Sequence, residues 1–184
     1  MRLLALCAAA FAAALTAVCL LAAPDDAPAR DAVLLKPDDT YLLQPIQKRR
    51  HEVWHWQKVM GKRPTPTTLS EKRSRNPHYR RWVLKLWTTR AAKVRHQVAR
   101  VPHRDAWLCI HRFEGPWNDT GAPYYGGLQM DLTFQRLYGG YLLRRKGTAD
   151  RWSPVEQMWV AWRAYRSGRG FYPWPNTARA CGLI

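Results

Sequence analysis

The chain has 184 residues, with 30 Lys plus Arg against 13 Asp plus Glu, a formal charge of +17, and 10 Trp. That length suits one compact domain with an extension and excludes a multidomain assembly. A hydrophobic content of 47% excludes a wholly disordered chain.

Arg2 precedes an unbroken apolar run that ends before Asp25. Residues 1–23 therefore read as a secretory signal peptide, cleaved near Leu21-Ala22-Ala23 or as late as Ala29. A retained membrane anchor is the alternative, because the run is at the lower limit of a span. Thr16-Ala17-Val18 is a poor small-residue approach to a lipidated Cys19. The reading places the mature protein outside the cytoplasm, secreted or attached to the cell envelope. Cys7 and Cys19 leave with the leader, and Cys109 and Cys181 remain. In an exported chain a lone pair is most simply one disulfide. Two free thiols, or two ligands of an incomplete metal site, are the competing readings. No His/Cys cluster has metal-ligand spacing, so no metal and no cofactor is expected.

Residues 24–45 are Pro-rich and mildly acidic, with the character of a flexible stem. Residues 46–104 form a basic, Trp-containing extension: from Ile46 to Asp105 there are 17 Lys or Arg and 3 acids. Ile46, Val53, Trp56 and Met60 follow a helical period, as do Val83, Trp87, Val94 and Val98 after the turn signal Asn76-Pro77. A linker from Gly61 to Thr68 separates the two. The polar faces of these helices are almost all positive, so the pair is a poor candidate for an autonomous domain. Basic residues interspersed with Trp54, Trp56, Trp82 and Trp87 fit nucleic-acid binding by composition, but export removes that partner. Anionic wall polymers or a membrane surface keep the same physics. On this reading the extension supplies attachment, and a chain beginning near Pro102 keeps any chemistry.

Residues 105–184 read as a small, mainly α domain with one short extended segment. A helix over Ala106–Glu114 is stopped by Gly115-Pro116, and Trp107, Ile110 and Glu114 share one face of it. Tyr124 to Gln129 is the extended stretch, with Gly126 and Gly127 permitting a close backbone approach. A short helix from Asp131 to Tyr138 ends at Gly139-Gly140. Ser153-Pro154-Val155-Glu156 combines an N-cap, Pro at the first helical position and a capping-box acid. Val155, Met158, Trp162 and Tyr165 or Arg166 are the buried stripe of the helix that follows. The tail Phe171-Tyr-Pro-Trp-Pro-Asn alternates prolines with aromatics and is expected to be irregular.

Trp107 with Glu114 seven positions on, Tyr124-Tyr-Gly-Gly-Leu-Gln129, Tyr138-Gly-Gly, Gln157 with Val160-Ala161, and Gly170 with Trp174-Pro175 and Cys181 occur in this order. Together they resemble the transglycosylase-like domain of the bacterial resuscitation-promoting factors over roughly residues 105–184. The resemblance implies a lysozyme-like fold and cleavage of the β-1,4 bond between N-acetylmuramic acid and N-acetylglucosamine in peptidoglycan, by lytic transglycosylase or muramidase chemistry. It implies Glu114 as the single general acid, and Trp117, Tyr124, Tyr125, Gln129 and Trp174 as residues that bind or support the glycan strand. The chain departs from the family pattern at Gly115-Pro116-Trp117, directly after the glutamate. A non-catalytic peptidoglycan-binding or envelope-adhesion protein that keeps the groove is the alternative.

The chemistry of the residues points the same way. Glycosidic cleavage needs an acid to protonate the leaving oxygen, and a glutamate in apolar surroundings keeps its proton to higher pH. Asp119 and Asp131 are the available second carboxylates, although Asp131 is also placed to cap a helix. Without them, the substrate's own N-acetyl group would assist. His111, three residues before Glu114, is placed either to orient it or simply to face solvent.

Overall fold

The computed structural model describes residues 39–184. The expected signal peptide, most of the expected stem, Cys7 and Cys19 lie outside the described residues. A 3-10 turn, Asp39–Leu42, leads into α1 (Leu43–Val59). The last residues assigned to the stem are therefore helical. Pro45 is accommodated because it falls in the first turn of α1, where backbone N–H groups have no intrahelical acceptor. A loop and the one-turn α2 (Leu69–Arg73), capped by Thr68 Oγ1, connect to α3 (Pro77–Ala99). Asn76 caps α3 by accepting from the backbone N–H groups of His78 and Tyr79, and Pro77 opens it.

Helices α1 and α3 pack on one another through the expected stripes. Ile46 and Val53 are buried on α1 and Met60 directly after it, with Trp56 half-buried, and Val83, Trp87, Val94 and Val98 are buried on α3. Arg50 is buried as well, with its guanidinium 5.2 Å from the Trp87 ring and 5.9 Å from Trp54. A delocalised cation between aromatic faces loses less on burial than an ammonium does.

The remainder consists of α4 (Arg104–Glu114), β1 (Tyr124–Tyr125), β2 (Met130–Asp131), α5 (Leu132–Lys146), α6 (Pro154–Ala164) and α7 (Pro175–Ala180). The strands pair antiparallel, Tyr124 with Asp131 and Tyr125 with Met130. The described part is thus mainly α with a small two-stranded sheet. Among the described residues no helix is long and apolar enough to cross a membrane.

Residues 39–184 lie within one compact unit, in which the basic hairpin α1–α3 packs on the rest. Helix α6 shows why. It is buried almost all round: Glu156, Gln157, Met158, Trp159, Val160, Ala161 and Ala164 are covered, whereas Val155, Trp162 and Tyr165 of the expected stripe are half-buried and Arg166 is exposed. The hairpin provides the second cover. Trp159 Nε1 donates to the Val98 carbonyl at 3.0 Å, and His55 Nε2 lies 3.0 Å from Glu156 Oε1. Lys146 Nζ donates to both oxygens of Glu156 at 2.7 Å, and the Ser153 backbone N–H reaches Oε2 at 2.7 Å. Burial pushes the Glu156 pKa up, but bonds from His55, Lys146 and Ser153 outweigh it and bring it down from 4.5 to about 2.

Two expectations about where helices begin and end change. Helix α5 does not end at Gly139-Gly140 but runs through both to Lys146. A Cβ on Gly139 would stand 2.4 Å from Trp152 Cη2, so this glycine admits the indole of the following turn. The tail expected to be irregular contains α7, which begins at Pro175 as its first residue.

Candidate functional site

Trp107 and Ile110 are fully buried and fix the rotation of α4, so Glu114, the last residue of that helix and on the same face, is held half-buried at its C-terminal end. The Thr177 hydroxyl, on α7, donates to Glu114 Oε1 at 2.8 Å. Cys109 and Cys181 are disulfide-bonded with Cα atoms 6.1 Å apart, one link joining α4 to the end of α7. A closed loop of this length, 72 residues in separation, has a chain-entropy worth of about 4 kcal/mol.

Across from Glu114 stands the β1–β2 turn. Gln129 has a left-handed backbone, φ 44°, unusual for a non-glycine residue and of the kind concentrated at functional sites. Its amide Nε2 donates to Asp119 Oδ2 at 2.6 Å and to the Gly126 carbonyl at 3.1 Å. A cavity of about 200 Å³ is lined by Glu114, Tyr124, Gln129, Pro173, Trp174 and Asn176. A second, of about 190 Å³, shares Tyr124, Gln129, Pro173 and Trp174 and extends to Asp131, Thr133, Leu137 and Arg169. The shared walls make these two halves of one groove, with Glu114 in one half and the face of α5 in the other.

The residues singled out in the sequence separate into three groups. Glu114, Tyr124, Gln129 and Trp174 come together in the groove. Trp174 is buried and anchored by its Nε1 donating to the Leu128 carbonyl at 2.7 Å, so it forms the wall by an edge while supporting the turn behind it. Asp131 borders the far half, but its Oδ1 accepts from the Phe134 backbone N–H at 2.6 Å as the N-cap of α5. Asp119 is held by Gln129 and by the Gly121 backbone N–H at 3.0 Å. Trp117 and Tyr125 are not among the lining residues. Trp117 instead stacks on His111 with ring centroids 3.9 Å apart, and Tyr125 packs half-buried against the core.

His111 has a structural position. Its Nδ1 lies 3.2 Å from the Gly127 carbonyl oxygen, and a Cβ on Gly127 would come within 2.6 Å of that nitrogen and 2.9 Å of Trp117 Cε3. The glycine is needed for this close approach of backbone to rings. His111 thus shapes the turn opposite Glu114 and makes no recorded hydrogen bond to the glutamate.

Thr177 is the site residue that sequence reasoning missed. The signal was present in helical arithmetic: Cys109 lies five residues before Glu114 and Cys181 four after Thr177. A bond between those cysteines therefore brings the two side chains within about one turn of each other on facing helices.

Chemically, the near half of the groove offers one carboxyl group with a hydroxyl donor behind it, a side-chain amide opposite and aromatic walls, and the far half adds Asp131. Among the described residues no group of three or more His, Cys, Asp or Glu could hold a metal ion. No known protein family, curated protein or solved structure matches the chain.

Proposed function

We propose that the chain is an exported peptidoglycan glycosidase that cleaves the N-acetylmuramic acid to N-acetylglucosamine β-1,4 bond with Glu114 as general acid. The observation that supports this best is the placement of Glu114: it ends a helix fixed by Trp107, lines the groove with Tyr124, Gln129 and Trp174, and has one oxygen held by Thr177. The held oxygen leaves Oε2 to face the glycosidic oxygen. Protonation of that oxygen breaks its bond to C1 of the muramic acid. Since Asp119 accepts on both oxygens within the fold and Asp131 caps α5 in the other half of the groove, the carbonyl oxygen of the substrate's N-acetyl group stabilises C1. The C6 hydroxyl then bonds to C1 and gives its proton to the Glu114 carboxylate, which leaves a 1,6-anhydro end; water attacking in its place gives a reducing end.

A second reading is favoured by the same commitment of the two aspartates. A groove in which Glu114 has no second carboxylate working with it suffices to bind glycan strands without turnover.

The test is release of soluble muropeptides from purified peptidoglycan by the wild type and by Glu114→Gln, with circular dichroism as the folding control. Gln keeps the size and the bond from Thr177 but cannot deliver a proton, so cleavage should disappear while glycan binding persists. Equal rates would remove Glu114 from the mechanism. No release by the wild type, with binding retained, would select the binding protein. The mass of the released sugar ends separates the anhydro product from the hydrolytic one.

A further inference from the structure

A cleft of about 450 Å³ lies where α1, α5 and α6 meet. Lys58 and Lys62 reach it from α1 and the loop after it, Arg136 and Arg144 from α5, and Arg163 from α6. No carboxylate lines it, and among the described residues none of these five cations forms an ion pair.

The arrangement is more than the general positive charge of the chain. Arg163 is half-buried, and its side chain runs beneath Gly61, where a Cβ would stand 3.2 Å from Nε. Burial, and after it the charge of Arg166, lowers the Arg163 pKa below its ordinary value. A guanidinium held in that position with no anion facing it costs stability that a bound anion would return. Lys58 Nζ sits 5.1 Å from the Tyr141 ring centroid, which gives the cleft one aromatic wall.

We propose that this cleft is a binding site for a ligand carrying two or more linked phosphate groups, held by Arg136, Arg144 and Arg163 with Lys58 and Lys62 at its mouth. Phosphate matches the planar forks of the arginines, and the spread of five cations over three helices and a loop calls for several charges in place of one. Phosphates linked to one another belong to a soluble or polymeric ligand, whereas those of a bilayer sit on separate headgroups. Leu137 lines both this cleft and the far half of the groove, so a phosphate-substituted polymer lying along the groove would reach the cations at its end. The proposal does not rest on turnover at Glu114.

The experiment is calorimetric titration of the full chain with sodium tripolyphosphate at about 150 mM salt, where diffuse surface attraction is screened beyond about 8 Å. Saturable one-to-one binding is expected. Arg144→Gln with Arg163→Gln should weaken it by at least about tenfold, and Lys58→Gln with Arg136→Gln, both at exposed positions, provides the same reading should the first pair impair folding. Arg81→Gln with Lys85→Gln, which removes two exposed charges from α3 outside the cleft, should leave it unchanged. Glu114→Gln should also bind normally, separating this site from the glycosidase reading. The proposal is overturned if tripolyphosphate does not saturate, or if the α3 pair weakens binding as much as the cleft pairs. It is equally overturned if phosphatidylglycerol vesicles are bound while soluble tripolyphosphate is not.

Discussion

Replacing Glu156 by Gln tests how the basic hairpin is joined to the rest of the fold. The native carboxylate is 1% exposed and accepts from Lys146, His55 and the Ser153 backbone. Its pKa falls from 4.5 unfolded to about 2 folded, so ionisation favours the folded state. The shift corresponds to about 3 kcal/mol at neutral pH, since each pKa unit is worth about 1.4 kcal/mol. Because the folded pKa is the lower one, this stability is fully present above pH 4.5 and is lost as pH falls from there through about 2. For a unit of this size the variant should melt about 6 to 12 °C lower at pH 7. The gap should close on acidification, as the wild-type side chain takes up a proton and becomes as neutral as Gln. Melting both proteins by circular dichroism at pH 7, 4.5 and 3 isolates this carboxylate, because every other acid titrates in both. A variant as stable as the wild type at neutral pH would refute the reasoning. So would a gap that stays constant into acid, which would assign the loss to packing alone.

A chain beginning at Arg104 leaves Trp159 without the Val98 carbonyl and Glu156 without His55, and it uncovers one face of α6; it should lose cooperative thermal unfolding, and a sharp melt with native near-ultraviolet dichroism would contradict this. Gly127→Ala should cost about 1 to 3 kcal/mol, since its Cβ meets the rings of His111 and Trp117. Gly140→Ala, whose Cβ has only Arg144 Nη1 nearby at 3.5 Å, should instead gain about 0.5 to 1 kcal/mol from reduced backbone freedom in the unfolded chain, read by urea denaturation.

The parts of the fold legible in the sequence are those decided within a few residues. The Val83, Trp87, Val94 and Val98 stripe and the capping box at Ser153 and Glu156 are both present, the latter with its two reciprocal hydrogen bonds. The parts that were not legible depend on contacts between distant segments. Glu156 does its capping locally, but its burial with Lys146 and His55 has no local signature. The near-complete burial of α6 could not be read from its own period, because the helix that covers its second face carries an excess of positive charge and looked solvent-facing. Gly139 read as a stop signal for the same reason: the indole of Trp152 that makes a glycine necessary there is outside the helix. In each case a neighbour from elsewhere in the chain reversed the local preference.

The same division applies to the groove. The face that carries Glu114 was legible because its helix has Trp107 and Ile110 on that side, and face is a local property, whereas the role of Glu114 came from the family resemblance. Its setting was not, because that comes from the tail. Thr177 meets Oε1 only when α7 lies against α4 in one register, and the disulfide from Cys109 to Cys181 fixes that register from one turn away on each helix. Trp174, one turn before Thr177, holds the other wall through the Leu128 carbonyl. The tail thus sets both the direction of the carboxyl group and the position of the turn that faces it. The hairpin acts on the opposite side, through α6. A perturbation of the hairpin acts on the stability of the whole unit, whereas one in α7 acts first on the geometry around Glu114.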